Sequence, residues 1–135
     1  MSEAKCFFDT NVLLYLLSSD VEKANRAESL LAGESVVSVQ VLNELVSVAT
    51  RKLGMPWQEI HDILKILRSV CDVQPLGLDT HELAVALSER YGFAIYDAMI
   101  LASAQLAGCE VVFTEDLQHQ QVINERLTVI NPFLE

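Results

Sequence analysis

The sequence predicts an α/β fold with a central, mostly parallel sheet of about five strands flanked by helices. Three observations carry this expectation. Short, Val-rich runs of strand length alternate with stretches patterned at helical spacing. Glycine and charged residues bound those runs, which argues against a helical bundle. At 135 residues, 51% hydrophobic and 21% charged, the chain suits one domain over residues 1–135 with a sizeable core.

The first expected strand is Lys5-Cys6-Phe7-Phe8, followed by a short helix from about Asn11 to Leu17. Asp20 reads as the N-cap of a helix running to Leu31 and ended by Gly33. Ser35-Val36-Val37-Ser38 is a second strand. From Val39 to about Leu53 the chain is helical, with Val41, Leu42, Leu45, Val48 and Ala49 on one face and Gly54 as the stop. Pro56 opens the next helix, in which Ile60, Ile63, Leu64 and Leu67 recur at helical spacing. Asp72 to Leu76 is the third strand. Asp79 or Thr80 caps a helix through Tyr91, closed by Gly92, and Tyr96 to Ala107 is helical up to Gly108. Val111-Val112-Phe113 and Leu127-Thr128-Val129-Ile130 complete the strands.

Composition excludes several classes of function. Lysine plus arginine number 9 against 19 aspartates and glutamates, a formal charge of −10. A simple basic nucleic-acid binder neutralises phosphates with lysine and arginine, so that class is disfavoured. A nuclease whose metal site is itself built of carboxylates is not. Mean hydropathy is +0.30, yet the longest apolar stretches, Val12–Leu17 and Ala98–Cys109, fall short of the ~20 residues that cross a membrane. Asp9 and Asn11 interrupt the apolar N-terminal stretch, so no signal peptide is read there and a cytoplasmic location is expected. Cys6, Cys71 and Cys109 are odd in number and lack CxxC spacing; they read as reduced thiols. His61, His81 and His119 show no paired metal-ligand spacing.

The informative residues are acidic. In an open parallel sheet, ligands bind outside the carboxyl ends of the strands. Asp9 follows directly on Phe8, and Thr114-Glu115-Asp116 follows Phe113 in the same way. Read singly, Asp9 has an ordinary role as a helix N-cap and Asp116 as a turn residue. Asp97 opens a helix that is apolar almost all round, so it needs a cation, a donor network, an open cleft or a capping role. Glu44 borders the apolar face of its helix, between Val41 at i−3 and Val48 at i+4. All four can face one edge of one sheet. Lys5 lies at the start of its strand, and the other basic residues of the first half lie on helices. Clustered carboxylates repel, and some must protonate unless a divalent cation binds. Oxygen-only ligation selects hard ions, Mg²⁺ or Mn²⁺, and metal-assisted hydrolysis of a phosphodiester is the matching chemistry.

Four segments together carry a resemblance: Phe8-Asp9-Thr10-Asn11-Val12-Leu13, Gln40-Val41-Leu42-Asn43-Glu44-Leu45, Tyr96-Asp97-Ala98-Met99-Ile100-Leu101-Ala102 and Phe113-Thr114-Glu115-Asp116-Leu117-Gln118-His119. In order and spacing they resemble the motifs of the PIN-domain nucleases, and within them the VapC-type toxins of bacterial toxin–antitoxin pairs. The resemblance implies a three-layer PIN-like sandwich and Mg²⁺- or Mn²⁺-dependent cleavage of RNA. It implies that Asp9, Glu44, Asp97 and Asp116 form an acidic quartet, with Asp9, Asp97 and Asp116 as metal ligands. Thr114 matches the hydroxyl near the metal, and Asn11 a polar position supporting the first aspartate. It also implies a homodimer and a small antitoxin that inserts an arginine or similar group into the acidic site. Gln120 departs from relatives expected to carry glycine at that position. Candidate RNA contacts are Arg51 and Lys52 at the end of the Glu44 helix, and Lys65 with Arg68; each also reads as ordinary solvated charge.

Rival readings fare worse or stay open. A receiver domain needs an acidic pair after the first strand and a lysine after the fifth, but Asp9 stands alone and the last lysine is Lys65. A haloacid-dehalogenase-like phosphatase needs an aspartate where this chain has Asn11. A non-catalytic PIN-fold module would be expected to lack one of the four carboxylates. A PIN nuclease that processes RNA without being a toxin is not separable by sequence.

Overall fold

The computed structural model describes residues 4–134; of the expected 1–135 domain, residues 1–3 and 135 lie outside it. In chain order the elements are β1 (Lys5–Phe8), α1 (Thr10–Leu13), a 3₁₀ turn (Leu14–Leu17), α2 (Val21–Leu31), β2 (Glu34–Ser38), α3 (Val39–Arg51) and α4 (Trp57–Val70). There follow β3 (Cys71–Gln74), α5 (Leu78–Tyr91), α6 (Ile95–Leu106), β4 (Val111–Phe113), β5 (Val122–Ile123) and β6 (Leu127–Ile130).

One sheet holds all six strands in the order β3-β2-β1-β4-β6-β5. Every pairing is parallel except β5 with β6. From β1 to β2 to β3 the chain steps in one direction, so right-handed crossovers lay α1 to α4 over one face. The return from β3 to β4 reverses direction and lays α5 and α6 over the other. Helix α6 packs on β2 and β4. Covered on both faces, the strands are apolar in near-continuous runs: Phe7, Phe8, Val36, Val37, Val112 and Val129 are fully buried. The direction of winding changes between β1 and β4. This is the topological switch point, where such sheets open a crevice at their carboxyl ends.

Several expected boundaries move. The third strand begins at Cys71, directly after α4, and ends at Gln74, because Pro75 has no N–H to continue the ladder. Helix α5 begins at Leu78 with Gly77 as its N-cap, not at Asp79 or Thr80. Those two act from inside the first turn: the Thr80 hydroxyl accepts from the Gly77 N–H at 3.3 Å, and Asp79 Oδ1 accepts from the Thr80 N–H at 2.9 Å. The unexpected sixth strand, β5, is two residues long and turns into β6 through Asn124 and Glu125, both at positive φ. Asp20 caps α2 as expected, accepting from the Lys23 N–H at 3.2 Å. Cys71 and Cys109 are buried thiols, pushed up to about 11 and about 12 by burial. Among the described residues no helix is long and apolar enough to cross a membrane.

Candidate active site

Asp9 follows β1 at the switch point, and its N–H bonds the Phe113 carbonyl of neighbouring β4 at 3.0 Å. Its side chain is 8% exposed. Oδ1 accepts from the Thr10 N–H at 2.7 Å, so Asp9 is indeed the N-cap of α1. Oδ2 points to other partners and accepts from the Thr114 hydroxyl at 2.9 Å. The capping and site readings are therefore compatible, one oxygen serving each.

Thr114, fully buried just after β4, is the hub. Besides donating to Asp9, its hydroxyl oxygen accepts from Asn11 Nδ2 at 3.2 Å and from the Asp116 N–H at 3.1 Å. Asn11 Nδ2 also reaches Asp116 Oδ2 at 2.9 Å and Asp9 Oδ2 at 3.4 Å. Asn11 Oδ1 accepts from the Glu115 N–H at 3.1 Å. The two strand-end loops are thereby locked together. At the far side of the second loop, His119 Nδ1 accepts from the Asn131 N–H at 3.0 Å, a structural role at the end of β6.

Asp97 is in the first turn of α6, half-buried. It is not the cap of that helix: Ala94 holds that position, without a side-chain bond. Glu44 is exposed on α3, one turn after Gln40, whose Nε2 donates to Glu44 Oε1 at 3.1 Å. The same Nε2 donates to the Tyr96 carbonyl at 3.2 Å, tying α3 to the turn that carries Asp97.

Asp9 and Asp97 feel neighbouring carboxylates. Burial pushes Asp9 up to about 6 from an ordinary 3.8. The Thr114 hydroxyl and the Thr10 N–H oppose that rise, and the charges of Glu44 and Asp116 add to it. Burial also raises Asp97, with a further push from Asp116. Among the described residues, the charged groups named as acting on Asp9 and Asp97 are carboxylates: Glu44 and Asp116 on the first, Asp116 on the second. Such a cluster draws a proton or a cation.

Among the described residues, no three His, Cys, Asp or Glu side chains are gathered into a ready-made metal cage. Mg²⁺ does not need one, since it is usually held by one or two carboxylates with water and substrate phosphate completing its shell. The oxygen donors of Asp9, Asp97 and Asp116, with carboxylates as the charged neighbours acting on Asp9 and Asp97 among the described residues, fit that kind of ion.

The basic candidates separate. Lys52 lines a groove of about 690 Å³ that Asn11 and Glu115 also line, together with Leu14, Tyr15 and Val48. Arg51 folds back along α3, its guanidinium 3.2 and 3.0 Å from Ser47 Oγ. Lys65 and Arg68 are exposed on α4, in the last turns before β3 begins. That is the amino edge of the sheet, opposite the carboxylates. Sequence reasoning passed over Lys23. Its Nζ lies 3.3 Å from Tyr15 Oη and 4.8 Å above the Tyr15 ring, close enough to feel Glu115. Gln40 stands in the second of the resembling segments without a role of its own, because its polar partner at Tyr96 comes from tertiary packing and leaves no mark in sequence.

The model of the PIN domain family matches residues 6–124. The chain belongs to the PIN domain family. No curated protein sequence matches it. Among solved structures, a toxin–antitoxin complex from Klebsiella pneumoniae superposes with a TM-score of 0.72 at 25% identity, covering 96% of this chain and 98% of that one. VapC20 of Mycobacterium tuberculosis, a sarcin-ricin loop cleaving toxin, gives 0.67 at 22% identity over 83% and 92% of the two chains. VapBC2 of Rickettsia felis, bound to a DNA fragment from its promoter, gives 0.65 at 20% identity over 92% and 97%. The PIN fold of this chain is similar to the folds of these proteins.

Proposed function

We propose that this PIN-domain protein hydrolyses RNA phosphodiester bonds with Mg²⁺ or Mn²⁺, as the toxin of a toxin–antitoxin pair in the cytoplasm. One observation supports the reading: the Asn11 amide joins Asp9 to Asp116 at the switch point, the charges of Glu44 and Asp116 act on Asp9, and that of Asp116 acts on Asp97. The likeness in fold to a toxin–antitoxin complex and to a sarcin-ricin loop cleaving toxin supports the same reading.

Asp9, Asp97 and Asp116 would hold the ion, which when bound supplies Lewis-acid stabilisation of charge developing on the phosphate. The protein's own part is preorganisation. Thr114 and the Thr10 N–H hold the two oxygens of Asp9 in place, and Asn11 holds Asp116. These contacts fix the carboxylates before substrate arrives, so little reorganisation is left for the reaction itself. Lys52, which lines the same groove as Asn11, would meet an RNA phosphate in this reading. The partners follow from the same reading: an antitoxin bearing a cationic group for the acidic cluster, and a second copy of the chain. For the second copy the chain offers exposed Leu78 and Tyr96, 73% and 70% exposed, at the starts of α5 and α6.

The test is cleavage of RNA by purified protein with Mg²⁺, with excess EDTA and with Mg²⁺ restored, beside Asp9→Asn. Cleavage is expected to stop with the chelator, return with the ion and be lost in the variant. In cells, expression without a partner is expected to arrest growth, and Asp9→Asn to relieve the arrest at equal protein level. Undiminished cleavage in EDTA would overturn the metal reading, and equal arrest by Asp9→Asn the catalytic one.

A further inference from the structure

Gln40 is a polar side chain where α3 turns inward, only 9% exposed. Both groups bonded by its Nε2, Glu44 Oε1 and the Tyr96 carbonyl, can only accept, so the amide has one workable orientation. That orientation leaves Gln40 Oε1 buried without a hydrogen-bond partner. Stability gives no reason to keep such an arrangement, because an apolar side chain of the same volume would fill the space without stranding an acceptor. The gain lies elsewhere. Glu44 is an exposed side chain with three rotatable bonds, and a free carboxylate of that kind samples many positions. Tyr96 immediately precedes Asp97. A single NH₂ group therefore joins the Glu44 carboxylate to the backbone that carries Asp97.

We propose that Gln40 is a positioning residue of the acidic site: it pins the Glu44 carboxylate against the first turn of α6 and so sets the spacing between Glu44 and Asp97. This rests on the reading of Glu44 and Asp97 as parts of the nuclease site. Gln40 itself touches neither RNA nor ion; it acts through Glu44.

The experiment is a double-mutant cycle on RNA cleavage using Gln40→Met, Glu44→Ala and the pair, with thermal unfolding of each. Methionine keeps the volume and removes both the donor and the stranded acceptor. Gln40→Met is expected to melt at or above the parent temperature. Its kcat should fall about ten- to a hundredfold, the scale of a misplaced catalytic group, with KM for RNA little changed. Because Gln40 acts through Glu44, the pair should lose no more than Glu44→Ala alone. A merely structural Gln40 would lower melting temperature and activity together, and its loss would add to that of Glu44→Ala. Parent-like kcat in Gln40→Met, or additive losses, overturns the proposal. If Gln40→Met folds poorly, Gln40→Leu, which also removes the NH₂ donor and adds no charge, serves in the same cycle with the same criterion. Impaired Glu44→Ala beside unimpaired Gln40→Met removes the positioning role alone. Full activity of Glu44→Ala removes the reading of Glu44 as well.

Discussion

The side-chain amide of Asn11 donates to Asp116 at 2.9 Å, across 105 positions of sequence. With the bond from the Glu115 N–H back to Asn11 Oδ1, this makes Asn11 a two-way latch between the loops after β1 and β4. In the metal-free protein the latch also offsets repulsion, since it places donor hydrogens between carboxylates. Asn11→Ala is expected to lower metal-free stability by about 1.5–3 kcal/mol, the range for hydrogen bonds to charged groups. Asn11→Asp should lower it further by adding a like charge. Chemical unfolding in EDTA measures both, and equal stability of Asn11→Asp and parent would contradict the latch.

Asp97 separates catalysis from stability. Among the described residues it neither caps α6 nor accepts a hydrogen bond that its removal would strand, and the neighbouring charge acting on it is that of Asp116. Asp97→Asn should abolish RNA cleavage while leaving metal-free stability equal or higher, because removing one of several like charges relieves repulsion. Added Mg²⁺ should raise the melting temperature of the parent more than that of the variant, since an ion that binds only the folded state stabilises it by mass action. Thermal unfolding with and without Mg²⁺ decides this. A destabilised variant with an unaltered response to Mg²⁺ would remove Asp97 from the site.

Where sequence was informative, a strong local signal agreed with topology. Asp9 and Asp116 were legible because a carboxylate just after an apolar strand lands at the ligand-binding edge of a parallel sheet. Asp97 was legible because a charge on an apolar helix requires a reason. Strand β5 was not legible, because two residues give no periodicity and Asn124 alone is a weak turn signal. The start of α5 moved because Thr80 caps by reaching back to Gly77 rather than by standing first. Gln40 and Lys23 were illegible for a deeper reason. A glutamine in a helix and a lysine near a helix start are ordinary until folding brings Tyr96 to one and Tyr15 to the other.

Gln120 tests a smaller point that sequence and structure share. Relatives were expected to carry glycine there, and the backbone has φ +70, in the left-handed region. The conformation is held by the Gln120 N–H bonded to the Val129 carbonyl at 2.6 Å. A side chain in that region costs roughly 1–2 kcal/mol, against roughly 0.5–1 kcal/mol of extra chain entropy that glycine loses on folding. Gln120→Gly should therefore leave the protein as stable or stabilise it by up to about 1 kcal/mol, and Gln120→Val should destabilise it. A clear loss of stability in Gln120→Gly would show that the side chain contributes something beyond its backbone cost.

The elevated Asp9 carboxyl makes a prediction about pH whose sign is fixed. Folded, burial pushes Asp9 up to about 6; its ordinary value is 3.8, and Asp97 moves the same way. Between those two values the folded protein holds more protons than the unfolded chain. Metal-free stability due to these groups therefore falls as pH rises through the window, and the deficit persists above it. Acidifying from pH 7 to pH 5 should give that stability back. Asp9→Asn lacks the titrating group, so the stability of the parent relative to the variant should improve over the same interval. Mg²⁺ runs against this trend, because it needs the ionised carboxylates and competes with the proton. The rise in melting temperature produced by Mg²⁺ should then be largest above pH 7 and shrink as pH falls below about 6. Unfolding curves of parent and Asp9→Asn in EDTA and in Mg²⁺, at pH 5, 6, 7 and 8, test both halves at once. A parent-to-variant gap that is flat from pH 5 to 7 would mean that Asp9 is ionised throughout, held by Thr114 and Thr10 more strongly than burial opposes it.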